Sequence, residues 1–494
     1  MSNIRVNFSG FLSFGTGIVS MITGFVFTII ITRSLDIQEY GTWGLINSFL
    51  VYVLILHPIV AYWTTREITR GERPSRTSLL FGEILAVVAI VIYITIITLF
   101  GDASDALTEF LIFGIILIPV MFLRYILNSI SLGTRPEIIS YSSFLAELAR
   151  LPSGIIFVYL FDMGILGVII SFLISHLVAV VFESIKTLPE LKFRFNIDYI
   201  KKWIRFAWLP IFPEIGNLLN RSDVIIFSII TSSVAGVAYF TAASALAHIV
   251  SFAGNISFGI YPKLLASKER LFVQENILYQ LYVSIPLIGV IISLARPILY
   301  VLNPIYEIVI FPVIFLVIRQ LFINLNNVFY KILIGIETVD LDKQVSVKKF
   351  VKSKLFFIPL LRLVRYLVYV VLIILVLFSL KEESQILLVT YWTFVAMVIE
   401  IPFSFYLYSL VKKNSEIKLE YGRIVKYVTV AIPVCLTTYF LSGSIKYSPK
   451  LIDFIPQLLI PLAFTIIAYI TITFFIDARA KKLIKSVIQK AIRK

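Results

Sequence analysis

"LLFGEILAVVAIVIYITIITLF" runs from Leu79 to Phe100 and holds a single charge, Glu83. As a helix at about 1.5 Å per residue this run is about 33 Å long, enough to cross a hydrocarbon layer of about 30 Å. A soluble core helix of that length would need a polar face, and this one has none. Similar runs recur at 9–32, 42–64, 79–100, 109–133, 138–161, 164–185, 207–231, 234–261, 275–301, 307–335, 355–380, 385–411, 424–442 and 455–476. The expected fold is therefore an all-α polytopic membrane protein with 14 transmembrane helices. Composition agrees: with 59% of residues hydrophobic and 15% charged, there is too little polar surface to cover a soluble core.

The net charge of +15 raises the question of a nucleic-acid partner, and the positions of the basic residues answer it. Alternating the loops from a cytoplasmic amino terminus puts 32 of the 44 Lys and Arg residues in inner segments and four (Arg33, Lys381, Lys446 and Lys450) in outer loops. That asymmetry is the positive-inside signature, so the basic excess is topological and both termini are expected to be cytoplasmic. No nucleic acid is implied. The first span is too long for a signal-peptide core and lacks its cleavage site, so it is read as retained. The tail "KKLIKSVIQKAIRK" (Lys481–Lys494) alternates an apolar helical face with lysines, as a helix lying on the anionic inner leaflet would.

Loop lengths give the organisation. Outer turns such as Phe161–Gly164 and Thr231–Val234 are very short, and the longest inner segment, Lys186–Arg205, contains the amphipathic "KFRFNIDYIKKWIRF". The expected division is a lobe of six helices (1–185), an amphipathic cytoplasmic linker (186–205), a second six-helix lobe (206–411), two further helices (412–476) and a basic tail (477–494). The linker's length suggests freedom for a wide swing between lobes. "QEYGTWGLINSF" (Gln38–Phe49) and "AGVAYFTAASAL" (Ala235–Leu246) follow corresponding spans and hint at an internal repeat.

"EIGNLLNRSDVIIFSII" (Glu214–Ile230) places Arg221 and Asp223 deep inside an apolar span, where a charge costs about 2.5–3.5 kcal/mol on insertion scales. Other spans carry polar stripes at helical spacing: Arg124, Asn128 and Ser131; Ser143, Glu147 and Arg150; Glu214, Asn217 and Arg221; Ser244, His248, Ser251 and Asn255; Gln320, Asn324 and Asn327 with Arg319 alongside; and Arg362, Arg365 and Tyr369. Serine and threonine at this spacing are common helix–helix glue, but glue does not require arginine. Eight bases lie inside the spans, and Glu83, Glu147, Glu214, Asp223 and Glu400 are singled out as acids beside them. Glu147 with Arg150, and Glu214 with Arg221, are plausible pairs. The stripes imply a hydrated cationic cavity lined by Arg124, Arg150, Arg221, Arg319, Arg362 and Arg365, with Asn128, Asn217, His248, Asn255, Gln320, Asn324 and Asn327 as polar lining. Glu147, Glu214 and Asp223 are candidates for ion coupling. Asp223 either neutralises a neighbouring base or titrates with a coupling ion, and a bridging role for it and Arg221 stays open.

"ITRSLDIQEYGTWGLINSF" (Ile31–Phe49) and "NRSDVIIFSIITSSVAGVAYFTAA" (Asn220–Ala243) resemble the paired hairpins of the polysaccharide-exporter branch of the multidrug/oligosaccharidyl-lipid/polysaccharide superfamily, the Wzx-type oligosaccharide flippases. Asp223 stands at the acidic position of the second motif, while Ser228 and Ala238 stand where that family usually has glycine. The resemblance implies two lobes of six helices with alternating access. It implies a substrate made of a polyprenyl or dolichyl phosphate or diphosphate bearing an oligosaccharide, carried across the cell (plasma) membrane. Arginine forks suit the phosphate, and Ser, Asn, Gln and Tyr suit sugar hydroxyls. A coupling ion and glycan-assembly enzymes are admitted as partners. Pro58, Pro119, Pro152, Pro210, Pro213 and Pro286 interrupt backbone bonding and offer bending points.

Two other readings are weighed. An ion-coupled small-molecule or drug exporter of organic cations would want a lumen of carboxylates. A polytopic membrane glycosyltransferase would want catalytic acids on sizeable outer loops; here Asp102, Asp105 and Glu109 share one short loop, and the D-x-D of Asp340 and Asp342 lies in an inner loop among lysines. There is no Walker A sequence and no H-E-x-x-H, and His57, His176 and His248 sit on separate spans. The single cysteine, Cys435, excludes intramolecular disulfides and reads as a small core residue. The expectation is a transporter without catalysis, metal or cofactor.

Overall fold

The computed structural model describes residues 6–101, 103–257, 270–335, 353–415, 417, 419–482 and 484–485; side chains are described from Gly17 on, except Ile18 and those of residues 255–272. Asn255, Asp340, Asp342 and the tail after Lys485 therefore lie outside the described side chains. The described chain is helical throughout, with no strand among the described residues. In chain order the helices are α1 (Val6–Ser34), α2 (Ile37–Val53), α3 (Pro58–Thr69), α4 (Ser75–Phe100), α5 (Thr108–Phe113), α6 (Leu117–Thr134), α7 (Glu137–Gly154), α8 (Gly164–Leu191) and α9 (Ile197–Arg205). They continue as α10 (Trp208–Thr231), α11 (Ala235–Ser251), α12 (Arg270–Ser293), α13 (Ala295–Leu302), α14 (Ile310–Gly335), α15 (Lys354–Ser379), α16 (Gln385–Ser415), α17 (Tyr421–Ser442) and α18 (Leu451–Ile476).

Among the described residues twelve helical segments are long and apolar enough to cross a membrane, which makes this a multi-pass membrane protein. The two other expected spans are α1, whose described apolar part is Val19–Ser34, and α10. α10 is 24 residues long but carries Glu214, Arg221 and Asp223, so its apolar character is diluted by three charges.

Proline and glycine fix where spans break. The expected second span divides into α2 and α3 around a 3-10 turn at Leu54–Leu56, because Pro58 has no N–H to continue the ladder and suits a helix's first turn. The fourth divides at Gly114–Ile116, three residues before Pro119. Pro152 lies inside α7, and a wide π-helical turn, Ile155–Leu160, follows it. At the start of α2 Asp36 accepts from the Glu39 amide (2.7 Å) while Glu39 accepts from the Asp36 amide (3.1 Å), a reciprocal capping box.

The chain forms two compact units. One comprises Met1–Thr241 and Pro359–Trp392; the other Ala242–Ile358 and Thr393–Lys494. In the first, α8 packs along α7 and α6, α1 along α7, and α10 against α2 and α3. The two repeat-like hairpins meet there. A Cβ added at Gly41 would lie 2.2 Å from the Val234 carbonyl oxygen, and one at Gly44 would lie 2.8 Å from Val237 Cγ1 and 2.9 Å from Thr241 Oγ1. Asp105 completes the contact by accepting from the Val234 amide (2.5 Å) and the Ser233 hydroxyl (3.3 Å).

The segment between α8 and α10 is not a free linker. Trp203 is wholly buried among Ile59, Val60, Trp63, Phe81, Ile126 and Ile130. Its indole N–H donates to Glu67 (3.2 Å), which also receives Lys202 Nζ (2.8 Å). The expected freedom of this stretch is thus overturned: an amphipathic helix with one buried aromatic anchor and a buried carboxylate beneath it is docked. Tyr199 adds a hydrogen bond to Glu72 (2.8 Å), and burial, with Glu72 beside it, raises the phenol's pKa. Tyr199→Phe should weaken this docking by about 1 kcal/mol, seen as faster amide exchange in α9 with the rest of the protein unchanged. Equal exchange in both proteins would show that the bond contributes nothing.

In the second unit α12, α17 and α18 share a buried tyrosine cluster, where Tyr282 and Tyr469 pack together and Tyr282 bonds Thr473 (2.8 Å). Asp477, just after α18, accepts from Arg423 (2.8 Å), Tyr427 (3.0 Å) and the Ala480 amide (3.0 Å), so the start of the tail is tied to α17. Cys435 packs on Gly289, where an added Cβ would lie 2.1 Å from its sulfur.

Candidate functional site

Two polar constellations occupy the first unit. One is built by α1, α6, α7 and α8. Glu147 and Arg150, one turn apart on α7, form the expected ion pair, and Thr23 of α1 donates to the same carboxylate (3.0 Å). The guanidinium also lies over Phe27 (5.2 Å) and Phe172 (5.5 Å). Gly24 lies beside it, where a Cβ would make ordinary contact with Arg150 Nη2 at 3.4 Å. On α6, Arg124 meets His176 Nδ1 of α8 at 2.7 Å. Arginine only donates, so Nδ1 accepts and His176 stands in its neutral Nε2–H form. Asn128, one turn on from Arg124, keeps a buried amide oxygen with no partner among the described residues.

The other constellation joins α10 to α15 and α16. Asp223 is 3% exposed and accepts from Tyr369 (2.7 Å) and Trp392 Nε1 (3.3 Å), while Trp392 also donates to Tyr369 (3.1 Å). Phe240 stacks on Trp392 at 3.9 Å and Phe227 at 4.9 Å. About two and a half turns earlier on α10, Glu214 accepts from Asn217 (2.6 Å), and the Asn217 oxygen accepts from Arg362. The expected Glu214–Arg221 pair is not formed: Asn217, one turn away, takes the carboxylate, whereas Arg221 is two turns away. Arg221 is exposed on a different face from buried Asp223 and makes no ion pair among the described residues. Arg362 and Arg365, like charges one turn apart on α15, sit against one ring, Tyr366, at 5.8 and 4.1 Å. A ring's negative face holds two cations near each other where bare hydrocarbon would not.

The remaining expected lining residues belong to the second unit. Arg319 is buried, Gln320 donates to Asn324 (3.0 Å), and Asn324 donates to the Val250 carbonyl (2.9 Å); His248 and Asn327 are exposed. Asn326, not singled out by the stripe, donates to Glu400 (2.6 Å). The sequence also leaves Glu183 unmarked: at the end of a span a carboxylate is ordinarily read as reaching water, yet this one is 0% exposed. Tyr366, Trp392 and Ser142 are likewise missed, because a single aromatic or serine in an apolar span gives no signal until its partner helix is known.

An all-helical chain with a dozen apolar spans among the described residues has the architecture of a multi-pass membrane protein. Residues 9–266 match the family described as polysaccharide biosynthesis protein, and the chain belongs to that family, within the multidrug/oligosaccharidyl-lipid/polysaccharide (MOP) superfamily of exporters. Among solved structures, lipid II flippase MurJ in an inward closed conformation is similar with a TM-score of 0.69 at 14% identity, over 94% of this chain and 99% of that one. An inward-facing multidrug resistance MATE transporter of the MOP superfamily gives 0.62 at 14% identity, over 82% and 99%. A MOP superfamily transporter from Pyrococcus furiosus, titled for the reverse polarity of its binding pocket, gives 0.54 at 15% identity, over 82% and 94%. At these identities the likeness is one of fold. No curated protein sequence matches.

Proposed function

We propose that this exporter is a flippase that carries a lipid-linked oligosaccharide, on a polyprenyl or dolichyl phosphate or diphosphate, across the cell membrane by alternating access. The observation that carries the reading is Arg124, held on α6 by neutral His176, which positions a guanidinium without cancelling its charge. Arg362, on another helix, donates to the Asn217 amide oxygen and lies over the Tyr366 ring. A phosphate or diphosphate head group would meet these forks, together with Arg150, Arg365 and, from their own positions, Arg221 and Arg319. Asn128, Asn217, His248, Asn255, Gln320, Asn324 and Asn327 would line the path of the glycan, whose lipid tail stays in the bilayer. The fourteen-helix count, with both termini cytoplasmic, is the topology that fits the charge pattern, and the lobe division at 186–205 and a surface-lying basic tail go with it. The family and the superfamily fold support transport over a glycosyltransferase activity, and the cationic lining weighs against an exporter of organic cations.

The test is transfer of a fluorescent short-chain lipid-linked oligosaccharide between leaflets of proteoliposomes. Arg362→Ala should slow transfer by about 10-fold, the value of one charge-assisted hydrogen bond of about 1.5 kcal/mol, in protein that melts normally. Wild-type protein that moves no such lipid under any ion gradient, or an Arg362→Ala variant as fast as wild type, would refute the reading of these arginines.

A further inference from the structure

Glu183 is the buried carboxyl that the arginine scheme does not use. It lies on α8, is 0% exposed, and has one oxygen, Oε2, with no hydrogen-bond partner among the described residues. Its other oxygen contacts the Ser142 hydroxyl of α7. Ser142 Oγ also lies 3.1 Å from the Ile139 carbonyl on its own helix. A hydroxyl has one hydrogen, so it cannot serve both acceptors fully. Either Ser142 gives its hydrogen to Ile139, and Glu183 must then be the neutral acid that donates to Ser142; or Glu183 is ionised and takes the hydrogen itself. The geometry suits both states, which differ by one proton and the rotation of one hydroxyl. A permanently ionised carboxylate is poorly provided for here, because burial without full pairing is costly.

Arg124 is held by His176, which stands two turns before Glu183 on α8. It approaches from α6, which packs along α8, while α7, which also packs on α8, brings the Glu147–Arg150 ion pair, already matched within itself. Thr187, on α8 itself, bonds only the Glu183 backbone oxygen (2.8 Å). An ionised Glu183 therefore competes for Arg124 with any anion that approaches it, and a protonated Glu183 does not.

We propose that Glu183, switched by Ser142, is a proton site whose occupancy is linked to anion binding at Arg124. In the step, the neutral acid releases its proton to water, the carboxylate takes the Ser142 hydrogen bond, and Arg124 is drawn towards it. Binding of an anion to Arg124 draws the proton back. Linkage is reciprocal, so anion binds more tightly where Glu183 is protonated. The link to substrate rests on the flippase reading; the proton switch does not.

The two parts separate experimentally. Infrared difference spectra between acid and alkaline pH, on protein in nanodiscs, should show a carboxylic-acid band that is lost on alkalinisation in wild type and missing in Glu183→Gln. Ser142→Ala, which removes the donor to the ionised form, should move the loss of that band by about one pH unit towards alkaline pH and serves if Glu183→Gln does not fold. Identical spectra for wild type and Glu183→Gln, or an unmoved band in Ser142→Ala, overturn the proton site. Inorganic diphosphate is then titrated at both pH values. Tighter binding in acid that Glu183→Gln abolishes establishes the linkage, and binding with the same pH dependence in both proteins overturns it. A titrating band with no diphosphate binding at either pH overturns the anion reading of Arg124 and leaves the proton switch standing.

Discussion

Gly41→Ala should abolish most transfer while leaving the protein folded. The new methyl group would sit 2.2 Å from a backbone carbonyl oxygen, that of Val234, and backbone cannot swing aside as a flexible side chain can. Overpacking of this kind costs about 3 kcal/mol at the upper end of its usual range, an approximately 150-fold shift against the state in which the two hairpins meet. In a cycle that must visit that state, transfer falls by the same order. The readout is protection of a cysteine at position 241, which packs on Gly44, in a variant lacking Cys435. It should resist a membrane-impermeant thiol reagent with Gly41 present and react with Gly41→Ala. Equal protection in both, with undiminished transfer, would mean the hairpins need not meet during turnover.

The second large effect is on stability. Asp223→Leu should lower unfolding stability in detergent by about 3–5 kcal/mol, because it removes a charged acceptor and takes from the Tyr369 hydroxyl and the Trp392 indole the carboxylate they share. Asp223→Asn keeps an acceptor oxygen and should lose about 1 kcal/mol. Arg221→Ala, two residues away on a different face, should stay within about 0.5 kcal/mol. Tyr369→Phe in the Asp223→Leu background should cost less than it does alone, since the hydroxyl has already lost this acceptor. Thermal unfolding of wild type, Asp223→Leu, Tyr369→Phe and the double variant gives the cycle; an Asp223→Leu protein as stable as Arg221→Ala would remove Asp223 from the structural core.

The spans were legible because hydropathy and helix length are properties of contiguous residues. Leu79–Phe100 needs no partner to declare itself, and Pro58 and Pro119 mark breaks for reasons internal to the backbone. The hairpin glycines were visible as a motif, but their purpose appears only with Val234 and Val237 in place. Where the chain departs from the family's usual glycines it finds local solutions: Ser228 is buried and turns its hydroxyl back to the Ile225 carbonyl (2.9 Å), and Ala238 is small enough to be buried completely. Of the polar stripes, the Glu147–Arg150 pair could be read because both residues lie on one helix. Arg124 with His176, Asp223 with Tyr369 and Trp392, and Glu183 with Ser142 could not, since each joins helices whose neighbour relation is set by packing over tens to hundreds of residues. Glu214 was assigned Arg221 when a nearer amide, Asn217, was available to it.

The docked helix α9 also bears on how the chain is assembled. With Trp203 and Glu67 fixing it, the connection between α8 and α10 shrinks to two short tethers, Lys192–Asn196 and Phe206–Ala207. Closing a short anchored loop sacrifices less chain entropy than closing a long free one. α10 carries three charges, which make it reluctant to enter lipid alone. Leashed by two residues to an anchored platform, it is delivered beside α2 and α3, so that its insertion is a step of assembly against protein surface and not a separate partition into bilayer.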